Sequence, residues 1–189
     1  MPALATSPRL PLSGNAALAA GALIQAALGL EFFFAGLNKT LNPNYLSQFQ
    51  AIVGNSPAAT SGPLAPVLQL LVLPNLDVTA QLARWTELGA GAVLLITALE
   101  VLRRRLSAPI GAQHAYEPLV ALAAALSALA LGVMSLITYA ILGGALPTIN
   151  PNISFSSPIA IELMLVPLAL GIAWLEFGRF QALRRAAAT

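Results

Sequence analysis

The stretch GLEFFFAGLNKTLNPNY, residues 29–45, poses the question on which the fold turns. It opens as an apolar helix that nevertheless carries Glu31. It closes with Asn38, Lys39 and the turn residues Asn42, Pro43 and Asn44. A charge facing lipid costs at least about 2.5 kcal/mol, so a carboxylate placed here calls for a partner or a proton.

The rest of the chain is equally sparing with charge. Its 189 residues are 58% hydrophobic and 8% charged, and the mean hydropathy is +0.80. Soluble domains carry about 25% charged residues. A chain this poor in charge cannot cover a water-facing surface, so it reads as an integral membrane protein. The net charge of +2 is too small to point to nucleic acid. There is no cysteine, and His114 is the single histidine. Thiolate-bound iron–sulfur clusters, structural zinc sites and bis-histidine haem are thereby excluded within the chain. No glycine-rich phosphate loop is present.

A spanning helix needs about 20 apolar residues. Four segments meet that length: 15–37, 80–102, 118–142 and 158–180. They predict an all-α, up-down-up-down four-helix bundle over residues 15–182, with tails at 1–14 and 183–189. The first apolar run is too long for a signal peptide and reads as a retained helix. The segment 63–76 is apolar but too short to span. It predicts a re-entrant or interfacial cap. Residues 45–53 predict a short amphipathic helix with Tyr45, Phe49 and Ile52 on one side. Pro167 predicts a kink in the fourth span.

Arg9, the run Arg103-Arg104-Arg105 and the group Arg179, Arg184 and Arg185 all fall on one side of such a bundle. The positive-inside rule makes that side cytoplasmic, with both termini inside a plasma (inner) membrane. TLNPNY (40–45) and TINPNI (148–153) then echo one another on the opposite side, either as common Asn-Pro-Asn turn chemistry after a helix or as the trace of a duplicated helix pair.

On this topology the polar groups within the spans gather in the outer half. Lys39 ends the first span, and Glu31 lies about 12 Å deeper at 1.5 Å per residue. Arg84 and Glu87 open the second span, one helical turn apart on one face. Tyr139 ends the third and Glu162 opens the fourth. The cost of exposing charge to lipid predicts that they turn inward and pair, Lys39 with Glu87 or Glu162. Such a cluster serves either as a ligand or proton site or as a purely structural network that fixes register. Glu100 and Glu176 lie beside arginines and read as interfacial ion pairs. His114 reads as a solvated loop residue.

GLEFFFAGLNKTLNP and ELGAGAVLLI (87–96) resemble the first and second helices of the DoxX/DoxD-like membrane proteins. That family includes the membrane subunit of thiosulfate:quinone oxidoreductase. The resemblance implies a membrane subunit of a quinone-linked oxidoreductase, with membrane lipids and other subunits, or a homo-oligomer, as partners. It implies Lys39 and Glu87 as the polar pair to carry over. Family members often have an arginine early in the first span, where this chain reads IQAALGL with Gln25. The quinone site expected from charge and resemblance together comprises Glu31, Asn38, Lys39, Arg84, Glu87, Tyr139 and Glu162. A non-catalytic accessory subunit and a small transporter are the competing readings.

Overall fold

A computed structural model of the chain describes residues 12–61, 65–106, 116–144 and 159–187. Arg9, His114 and the 148–153 turn lie outside the described residues. Among those described the chain is helical, without strands. Helix α1 is Leu12–Leu41, α2 Tyr45–Gly54, α3 Pro57–Thr60 and α4 Ala65–Val67. The long helices that follow are α5 Leu76–Leu106, α6 Glu117–Ile141 and α7 Ile161–Ala187. Four helical stretches are long and apolar enough to cross a membrane: Leu18–Leu41, Ala65–Arg103, Glu117–Ile141 and Ile161–Ala186. The protein is a membrane protein on that architecture.

The segment expected as a re-entrant or interfacial cap joins α5 directly. From Ala65 it is helical without a break into α5. The path includes one wide π turn, Leu68–Val72, closed by the Leu73 N–H donating to Leu68 O. A tight 3-10 turn, Leu73–Asn75, follows and contains Pro74. Proline lacks the N–H that regular α-helix would need there, so the chain changes its hydrogen-bond spacing instead of ending. In α2 the buried residues are Tyr45 and Val53, while Ile52 is exposed. At about 100° per residue the buried face runs from Tyr45 through Phe49 to Val53, and Ile52 lies at its rim, just beyond Tyr45. Helix α7 continues through Pro167. Helix α6 ends at Gly143 and Gly144, both at positive φ. There the Gly144 N–H donates to Tyr139 O, a turn that glycine enters without steric cost.

The long helices pack in cyclic order. Helix α1 lies mainly against α5, α6 mainly against α7, and α5–α6 and α1–α7 contacts close the ring. The shared core is drawn from all four, with Leu28 and Phe32, Leu94, Leu131, and Ala169 and Ile172. Small residues let the backbones approach. A Cβ on Gly36 would sit 2.5 Å from Leu88 N, and one on Gly91 would sit 2.5 Å from Phe33 N. Gly29 meets Leu95 and the Gly91 carbonyl in the same way. As residue numbers rise along α1 they fall along α5, so this pair is antiparallel.

At that seam overpacking should be costly, on the order of 1–3 kcal/mol per misplaced methyl. Gly36→Ala is therefore expected to lower the melting temperature in detergent. Gly89→Ala, on the same helix pair but with open space around it, should leave it unchanged or raise it. Equal melting temperatures for the two variants would refute the close-approach account.

Candidate functional site

Lys39 is the last basic residue of α1, and Glu87 lies on the core face of α5. The close α1–α5 seam ends between them, and the Lys39 ammonium donates to Glu87 Oε2 in an ion pair. Glu87 is buried, whereas the Lys39 side chain keeps 31% of its surface exposed. Charge-assisted hydrogen bonds of this kind are about twice as strong as neutral ones. Lysine carries three donors, so the pair leaves Lys39 with donor capacity toward its open side.

Tyr45 roofs the pair. Helix α2 begins directly after the Asn42–Asn44 turn, where Asn42 Oδ1 accepts from the Asn44 N–H. That turn folds the buried Tyr45 back so that its hydroxyl donates to Ala80 O at 3.0 Å. The Tyr45 phenol is pushed up to about 12, first by burial and then by the Glu87 carboxylate, with Arg84 opposing. In the same loop, Gln69 Nε2 donates to Ala59 O at 2.8 Å and ties the π turn to α3.

The other expected members sort differently. Arg84 is half-buried and donates to Gln81, one turn back on its own helix, and its guanidinium stacks over Trp85 at 5.1 Å. The expected contact with Glu87 is thus replaced by a local one, and Arg84 Nε is buried without a partner among the described residues. Glu162 is half-buried in the first turn of α7. It forms no ion pair with Lys39 or Arg84 among the described residues. Tyr139 is half-buried, its ring beside Gly144. Asn38 and Glu31 are exposed. Glu31 is therefore not the buried carboxyl that its apolar setting predicts. It sits on the outward face of α1, while Leu28 and Phe32 on either side of it point to the core.

Two polar groups that sequence reasoning passed over are buried instead. Gln25 is fully buried and donates to Thr97 Oγ1 at 2.5 Å and to Leu94 O at 3.2 Å. Its Oε1 has no partner among the described residues. Glu176, read as interfacial, is only 2% exposed and accepts from Arg179 at 2.9 Å. It falls on the core face of α7, four residues beyond Ile172. Glu100 does match an interfacial pair, held by Arg103 at 2.8 and 2.9 Å. A groove of about 690 Å³ lies beside that pair, lined by Ile96, Leu99, Tyr116 and Val120 among others. It is about 20 Å along α5 from Glu87 at the helical rise, well away from the Lys39 pair.

No family model, no curated protein and no solved structure matches the chain.

Breaking a buried pair from one side leaves an uncompensated charge, at about 3–5 kcal/mol. Glu87→Ala should approach the lower end of that range, because Lys39 is part-exposed. Glu100→Ala, at a pair whose arginine side chain is 37% exposed, should cost about 1 kcal/mol or less. Equal losses on thermal unfolding in detergent would show that burial does not separate the two pairs.

Tyr45 gives a pH test. Its folded-state pKa stands above the ordinary value of 10, so the folded protein holds the phenolic proton more tightly than the unfolded chain. That contribution to stability is whole below about pH 10 and is lost as pH rises toward 12. Tyr45→Phe should remove this alkaline component of the unfolding curve. Wild-type and variant curves of the same shape between these limits would rule it out.

Proposed function

We propose that the chain is a DoxX/DoxD-like membrane subunit of a quinone-linked oxidoreductase, with the Lys39–Glu87 pair as the polar end of a quinone head-group site. The supporting observation is that the two residues carried by the family-like motifs, from separate helices, meet in one ion pair. A quinone head needs a donor at a carbonyl oxygen and a proton source beside it. Lys39 supplies the donor and stabilises an anionic reduced oxygen. Glu87 holds the ammonium in place as a carboxylate, and passes a proton to the reduced head group after taking one up from water at the Lys39 end. Arg84 and Tyr45 bound the polar end, and the apolar helix faces take the tail. In this reading the bundle runs up-down-up-down in a plasma (inner) membrane, with both termini cytoplasmic and the Lys39 end outside. Partner subunits supply the electrons, since cysteine is absent and a lone histidine cannot ligate haem from both sides.

A second reading, a non-catalytic accessory subunit, is favoured by the Gln25–Thr97 and Glu176–Arg179 ties. The first joins α1 to α5 and the second lies within α7, so buried polar contacts in this bundle occur where no ligand site is needed to account for them.

Binding of a quinone analogue to the purified protein separates the readings. Wild type should bind. Lys39→Ala and Glu87→Gln should each weaken affinity by about 10-fold or more, the worth of a hydrogen bond to a charged group. No binding by wild type, or the same affinity in all three, would hand the case to the accessory subunit.

A further inference from the structure

Glu31 is the one carboxyl that the bundle turns outward in the middle of a membrane-crossing helix. Its depth follows from two exposed tryptophans. Trp85 lies two residues from Glu87 at the Lys39 end and is 54% exposed. Trp174 is 83% exposed and adjoins Leu175, whose side chain packs over Gly21. Outward tryptophans gather at the two membrane–water interfaces. The rise from Gly21 to Lys39 is about 27 Å, close to the hydrocarbon thickness. Glu31 is about 12 Å from one end and about 15 Å from the other. Neither a water surface nor a snorkelling path is within reach of so short a side chain. No hydrogen bond or ion pair to Glu31 forms among the described residues.

The exposed stripe that contains it runs Ala20, Ile24, Ala27, Glu31, Phe34 and Asn38. Their spacing alternates four and three. Any outward helix face gives such spacing, so the content carries the argument. Alanines at 20 and 27 leave room for a close neighbour, as small residues do at membrane helix interfaces. Glu31 and Asn38 stand seven apart, one heptad, on a face that would otherwise be lipid-compatible.

We infer that this face of α1 packs against α1 of a second copy of the chain, about a two-fold axis along the membrane normal. Such an axis places each residue against itself at one depth. Both polar groups suit that arrangement. A primary amide carries donor and acceptor, and so does a protonated carboxyl. Glu31 therefore pairs with Glu31 of the second copy, and Asn38 with its counterpart. A helix from a different chain would have to supply a donor at each of these two depths.

The chain has no cysteine, so one introduced thiol reports its own contacts. Ala27→Cys should cross-link oxidatively in native membranes to a dimer of twice 19.5 kDa. Val133→Cys, exposed on α6, should not. In the Ala27→Cys background Glu31→Leu should lower dimer yield about three- to tenfold, the strength of interhelical hydrogen bonds in membranes. Glu31→Gln, which keeps donor and acceptor, should restore most of it. If Glu31→Leu fails to accumulate in the membrane, Asn38→Leu takes its place with the same expected loss. Equal cross-linking at positions 27 and 133, an adduct with a chain of different mass, or a dimer yield indifferent to these variants would overturn the inference.

Discussion

The close approach of α1 and α5 governs the rest of the structure. In lipid there is no hydrophobic drive to press one apolar helix on another, so association depends on packing and on hydrogen bonds. Gly29, Gly36 and Gly91 bring the two backbones into contact over about two turns, residues 29–36 of α1 against 88–95 of α5. The seam is fastened at two levels by unlike means. Gln25 with Thr97 and the Leu94 carbonyl holds one, and Lys39 with Glu87 holds the other. A one-residue slip of α5 would carry Leu88 off Gly36 and separate both fastenings at once. The ion pair is thus a consequence of the glycine seam as much as a support for it. Its geometry is available to a ligand because the helices, and not the ligand, set it.

The spans were legible because hydropathy and length report that a segment crosses a membrane. Rotation was far less legible. A helix apolar all round gives little sign of which face meets its neighbours. Lys39 and Glu87 could be read from charge cost, since each had a partner of opposite sign at matching depth. Glu31 was misread because the same argument, that a charge must turn inward, assumes that the bundle is the only protein nearby. Gln25 and Glu176 were missed for the converse reason. One carries no charge and the other has an arginine one turn away, so neither seemed to need the core. The signal that would have found Gln25 was its position. It lies four residues before Gly29, on the stripe that faces α5.

The boundaries also moved for a physical reason. An apolar window stops at the first polar cluster, but a helix does not, because its hydrogen bonds are satisfied by its own backbone. Helix α1 therefore continues through Asn38 and Lys39 to Leu41, and α7 reaches Ala187 beyond its arginines. The segment before α5 shows the same persistence. Pro74 alters the hydrogen-bond spacing there without interrupting the helical path.

The ion pairs Glu100–Arg103, Glu176–Arg179 and Lys39–Glu87 represent three situations, and each has a different claim on function. Glu100 with Arg103 sits near a helix end within reach of water, where such pairs contribute little. Glu176 with Arg179 is more enclosed, its carboxylate 2% exposed and its arginine 16%. Lys39 with Glu87 is the intermediate case, with a buried carboxylate and a part-exposed ammonium. A pair closed within one helix and mostly buried offers a ligand little, and an exposed pair can meet one but cannot hold a fixed geometry. Only the intermediate pair combines a rigid acceptor with a reachable donor. Glu31 stands outside this scheme, because no partner for it lies among the described residues and the one inferred above lies across the outward face of α1.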